Sequence, residues 1–107
     1  MKKFLCVCEG GNVRSRALAY ILHDLRGQEA ISIGWRWASE ETMSMLCDWA
    51  DVIVIMQPSM SEKIHQRFWS KLKCIDVGQD NYGINIHPSL YQLVEEGARN
   101  LLEEVRK

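Results

Sequence analysis

Short apolar runs alternate with segments of helical period along this chain, and that alternation constrains its fold more than any other feature. Phe4 to Cys8 is a continuous apolar run, the pattern of a strand buried on both faces. From Ser15 the period turns helical, with Leu18, Ile21, Leu22 and Leu25 on one face and Gly27 as the stop. Ile31 to Trp37 reads as a second strand, rich in β-branched and aromatic residues. Ser39 is placed to cap a helix that carries Met43, Leu46, Cys47 and Ala50 on one side, and Asp51 to Met56 is a third strand. Ser59 to Glu62 is a capping box, and Met60, Ile64, Phe68 and Leu72 predict a helix behind it. Lys73 to Val77 reads as a fourth strand and residues 78–88 as a polar loop. A second capping box, Ser89 to Gln92, opens a last helix lined by Leu90, Leu93, Val94, Leu101 and Val105. Strands and helices in strict alternation predict an α/β fold, a parallel sheet with helices on both faces. Ligands of such sheets gather beyond the carboxyl ends of the strands, so the segment after the first strand is where chemistry is expected.

A chain of 107 residues suits one domain, residues 1–107, and is long enough to bury a core without staples. Its net charge of −1 supplies no long-range field for nucleic acid or an acidic membrane. No apolar run approaches the ~20 residues of a membrane span. Met1-Lys2-Lys3 before Phe4 to Cys8 only imitates a signal peptide, because polar Glu9-Gly10-Gly11-Asn12 follows at once. The expectation is a cytoplasmic protein whose four cysteines, Cys6, Cys8, Cys47 and Cys74, are free thiols. Cys6 and Cys47 read as core, and Cys74 as structural. No pair has zinc-ligand spacing, so no metal site is expected.

The segment after the first strand is Cys8-Glu9-Gly10-Gly11-Asn12-Val13-Arg14-Ser15, and a helix begins at its end. The start of a helix offers unpaired N–H groups and a partial positive charge, which suit an anion. Two glycines let the backbone curl so that successive N–H groups point inward. Arg14 adds a planar fork of donors matched to a tetrahedral oxyanion. The helix terminus and Arg14 favour a thiolate at Cys8, and Ser15 can donate a hydrogen bond to it. The Gly-Lys-Ser/Thr ending of a nucleotide loop is missing, and Gly-x-Gly-x-x-Gly does not occur.

Cys8-x5-Arg14-Ser15 at this strand–helix junction resembles the phosphate loop of the low-molecular-weight protein tyrosine phosphatases. Asp80-Asn81-Tyr82-Gly83 is similar to the Asp-Pro-Tyr-type loop before that family's last helix, and Trp49 to Met56 is similar to its third strand and lead-in. The likeness extends in order along most of the chain and is greatest to a compact branch of the family. It implies a flavodoxin-like sheet of strand order 2-1-3-4. This chain departs from the family pattern at Gly11, where Asn is usual, at Val13, where many members carry a second Cys, at Arg16 and Asn81, where Pro is usual, and at Glu9, which is expected to point to solvent at the rim.

The resemblance further implies a two-step displacement. Cys8 attacks phosphorus and forms a phosphocysteine, while Arg14 and the N–H groups of Glu9, Gly10, Gly11, Asn12, Val13 and Ser15 hold the equatorial oxygens. Asp80 protonates the leaving phenolate and then deprotonates water, and Tyr82 stacks on the substrate ring. No cofactor or metal is needed, and the expected partner is a phosphotyrosine protein or a small aryl phosphate. Two alternatives stand beside it: a non-catalytic phosphate- or phosphoprotein-binding module, and a thiol-dependent arsenate reductase. Asp76, inside the expected fourth strand, is the rival acid. Trp35 and Trp37 share a face of the expected second strand and read as core or edge cover, with a substrate wall as the lesser reading. His87 lies near the site without an assigned role.

Overall fold

A computed structural model describes residues 2–10, 13–78 and 87–106. Four parallel strands, β1 (Lys3–Cys8), β2 (Glu29–Gly34), β3 (Val52–Ile55) and β4 (Leu72–Cys74), form one sheet in the order β2-β1-β3-β4. This is the strand order that the resemblance implies. Phe4 to Cys8 are all buried, as a strand flanked on both sides and covered on both faces requires. In register, Phe4 faces Ala30 and Val52, and Val7 faces Ile33 and Ile55, so the apolar centres of three strands line up.

Helix α1 (Arg14–Tyr20) continues into a π-helical turn over Ile21–Leu25, and Ala17, Leu18, Ile21 and Leu22 turn its apolar face into the core. Ser39 caps α2 (Glu40–Trp49) by accepting the Thr42 N–H at 3.1 Å, as its sequence position predicts. The Lys71 ammonium donates to the carbonyls of Cys47 and Ala50, which satisfies the other end of that helix. Helix α3 (Pro88–Arg106) buries Leu90, Val94, Ala98 and Leu101.

Several local expectations are corrected. The second strand ends at Gly34, and Trp35 to Trp37 form a turn closed by the Trp37 N–H on the Gly34 carbonyl. The two tryptophans therefore do not share a strand face. Trp35 is partly buried under the Lys63 ammonium, 4.4 Å from its ring centre, whereas Trp37 is 78% exposed. The helix expected from Ser59 is two 3-10 segments, Pro58–Lys63 and Gln66–Lys71, and Ser59 caps neither. Met60, Ile64 and Phe68 are still buried, but Leu72 belongs to β4. The break falls at Ile64–His65, where His65 Nδ1 accepts the Arg67 N–H and starts the second segment. The last helix begins at Pro88, with the His87 ring accepting the Ser89 N–H at 3.2 Å, so His87 takes the capping role expected of Ser89. Leu93 is 45% exposed rather than inward-facing.

Among the described residues no helix is long and apolar enough to cross a membrane, and none of the four cysteines is in a disulfide. Cys74 is exposed and ends β4, where the sequence places it near the start of a strand.

Candidate active site

Strand β1 delivers Cys8 to the carboxyl edge of the sheet, beside the point where the strand order reverses between β2-β1 and β1-β3. The chain crosses from there to α1, whose first two residues are Arg14 and Ser15. Cys8 and Ser15 are both buried, and the Cys8 sulfur and Ser15 hydroxyl are hydrogen-bonded at 3.1 Å. The two ends of the expected phosphate loop are thus joined through their side chains.

Arg14 is 2% exposed, exceptional for a guanidinium. Its Nη1 donates to Gln57 Oε1 at 2.6 Å and to the Gly78 carbonyl at 2.8 Å. Its Nε is buried and has no hydrogen-bond partner among the described residues. The fork is therefore held from one side while a buried donor on it stays unused, an arrangement that awaits an acceptor. Gln57 follows β3 and Gly78 follows β4, so three strand ends converge on this one group. Gly78 has φ +77°, a conformation that side-chain-bearing residues rarely adopt, and its N–H donates to Asp76 Oδ1 at 3.0 Å. Asp76 lies beyond the end of β4, not within it, and its carboxylate shapes the turn that presents the Gly78 carbonyl to Arg14.

The loop after Cys8 rests on the turn after β2. The Cys8 carbonyl accepts the Trp35 N–H at 3.0 Å, and the Glu9 carbonyl accepts the Arg36 N–H at 3.1 Å. The Glu9 carboxylate pairs with Arg36 at 2.7 Å on the surface, where the sequence places it, at the rim. Gly34 makes the close approach possible: a Cβ there would lie 2.4 Å from the Gly10 carbonyl carbon and 2.8 Å from the Glu9 oxygen. Gly34 and Gln57 are the contributors that sequence reasoning missed. A lone glycine inside the expected second strand, a mark of close backbone approach, was the available signal for Gly34; Gln57 had none. Gly34→Ala is expected to destabilise the fold by about 1–3 kcal/mol, since the obstructing atoms are backbone. Thermal unfolding checks this, and an Ala variant of unchanged stability contradicts it.

Arg16 is exposed and lines a groove of about 580 Å³ with Gly10, Gly34 and Trp37. Val13 precedes α1 and is partly buried. Gly11, Asn12, Asp80, Asn81 and Tyr82 lie outside the described residues. Burial raises the other three thiols. Burial pushes Cys47 from 9.0 up to about 11, with Lys71 opposing. Burial, then the neighbouring Cys8, raises Cys6 far above its ordinary value. Burial and then Asp76 raise Cys74. Among the described residues no cluster of three or more His, Cys, Asp or Glu could hold a metal ion.

No family model and no curated protein matches the chain. Solved structures do match over nearly its whole length. Wzb from Vibrio vulnificus, in complex with benzylphosphonate, superposes with a TM-score of 0.75 at 19% identity, covering 96% of this chain and 98% of its own. The YwlE arginine phosphatase from Geobacillus stearothermophilus gives 0.70 at 19% identity, covering 97% of this chain and 95% of that one. SP-PTP, a low molecular weight protein tyrosine phosphatase from Streptococcus pyogenes, gives 0.71 at 21% identity, covering 97% and 93%. Strand order, the placement of Cys8 and Arg14 at the sheet's carboxyl edge, and these superpositions agree: the chain has the fold of the low-molecular-weight protein tyrosine phosphatases.

Proposed function

We propose that the protein hydrolyses phosphomonoesters, with phosphotyrosine or another aryl phosphate as substrate, through a phosphocysteine on Cys8. The observation that carries this reading is Arg14, a buried guanidinium beside Ser15 and its partner Cys8, anchored through Nη1 and with Nε unpartnered among the described residues. Such a donor matches the equatorial oxygens of a phosphoryl group. The Cys8 sulfur attacks phosphorus, the bond to the leaving oxygen breaks, and the phenolate takes a proton from Asp80. Water, deprotonated by Asp80, then attacks the phosphocysteine, releasing phosphate and restoring the thiolate. The Ser15 hydroxyl stabilises sulfur both before attack and as it departs. Similarity to proteins described as tyrosine and arginine phosphatases supports the reaction class.

Arsenate reduction is less well supported, because it needs a thiol relay leading away from Cys8. Cys6 and Cys47 are buried, and Cys74 lies two strands away on β4.

The test is hydrolysis of a series of aryl phosphates by wild type and Asp80→Asn. With poor leaving groups the variant is expected to lose about 10²–10³-fold in kcat. With good leaving groups the loss is smaller, since they need less protonation. Equal losses across the series would assign the acid to another residue.

A further inference from the structure

Arg14 has no ion-pair partner among the described residues: both acceptors of its Nη1, the Gln57 amide oxygen and the Gly78 carbonyl, are neutral. A guanidinium as buried as this one normally meets a carboxylate, because an uncompensated buried charge is costly. The position that could supply one carries Gln57, 2.6 Å away and 43 residues distant in sequence. Among the described residues, the carboxylates near the strand ends are engaged elsewhere: Glu9 with Arg36 at the rim, and Asp76 with the Gly78 N–H.

We infer that Gln57 is a positioning residue that fixes the Arg14 fork without neutralising it, so that the guanidinium charge is left for the reacting sulfur and the bound oxyanion. The inference rests on the proposed phosphoryl site and adds to it where the site's net positive charge comes from. A carboxylate at position 57 would hold Arg14 in the same place and satisfy the same Nη1 donor. It would also compete electrostatically with a phosphate dianion for one guanidinium. Gln57 therefore separates two roles that an acid would merge, orientation and neutralisation. An apolar residue of similar length would leave the charge but remove the orientation.

Two variants divide these roles, read by calorimetric titration with inorganic phosphate, thermal unfolding, and kcat and KM on an aryl phosphate. Gln57→Glu is expected to keep or raise the unfolding temperature while weakening phosphate by about tenfold or more. KM rises with it. Gln57→Met is expected to keep phosphate affinity within about threefold while kcat falls about tenfold, the signature of a misaligned fork. Equal phosphate affinity in wild type and a folded Gln57→Glu overturns the charge role, and an undiminished kcat in Gln57→Met overturns the positioning role. Should Gln57→Glu fail to fold, Gln57→Met still decides the second role. Failure of wild type itself to bind phosphate would instead remove the proposed function, so the two failures are distinguishable.

Discussion

Replacing Cys8 with Ser is expected to leave a folded protein that still binds phosphate and turns over aryl phosphates at least about a thousandfold more slowly. The substitution is nearly isosteric, and a hydroxyl can keep the hydrogen bond that the sulfur makes to Ser15. Phe4 to Val7 before it are buried and apolar, and the substitution leaves that packing intact. What is lost is the nucleophile, because an alkoxide is far less accessible than a thiolate at neutral pH. Steady-state rates with p-nitrophenyl phosphate and a phosphate titration measure the two properties separately. A Ser variant within about tenfold of wild type would place the nucleophile elsewhere.

Arg14→Lys retains the charge and removes the fork. The ammonium is a compact charge with no rigid geometry, and it cannot span Gln57, Gly78 and a phosphoryl group as the guanidinium does. A fall of about 10²–10³ in kcat/KM is expected, comparable to the loss of an oxyanion donor in other enzymes. The fall should be carried mainly by kcat, because the planar fork matches the transition state better than the ground state. A variant that loses affinity in KM and keeps kcat would mean that Arg14 only attracts substrate. Arg14→Ala is the harsher change, since it also leaves the acceptors on Gln57 and Gly78 without their donor.

The parts of this molecule that were legible in its sequence are those whose determinants are local. Phe4 to Cys8 is an unbroken apolar run because β1 has strands on both sides. Cys8 ends β1 and Arg14 and Ser15 open α1 because the apolar run and the helical period meet across this short segment. Ser39 caps α2 as its position predicts. The strand order followed from the resemblance, since alternation alone fixes parallel pairing but not which strand neighbours which.

Where reading failed, a tertiary contact overrode a local preference. Trp35 to Trp37 have strand propensity, yet Gly34 must approach Gly10, and the chain turns there instead of extending. The four-residue spacing of Met60, Ile64 and Phe68 suits an α-helix, but two 3-10 segments bury the same three side chains. Ser89 begins a capping box, yet the preceding His87 ring caps the helix because Pro88 already occupies its first position. Gln57 was invisible for a different reason: a glutamine after a strand signals nothing until the fold brings it to Arg14.

In the proposed reaction phosphate passes through the Cys8 sulfur. Rapid mixing with p-nitrophenyl phosphate, followed by acid quench, protease digestion and mass spectrometry, tests it most directly. One phosphoryl group is expected on the peptide that contains Cys8, formed within a burst of p-nitrophenolate and absent in Cys8→Ser. Turnover with no phosphorylated cysteine, or with the phosphoryl group on another residue, would contradict the account.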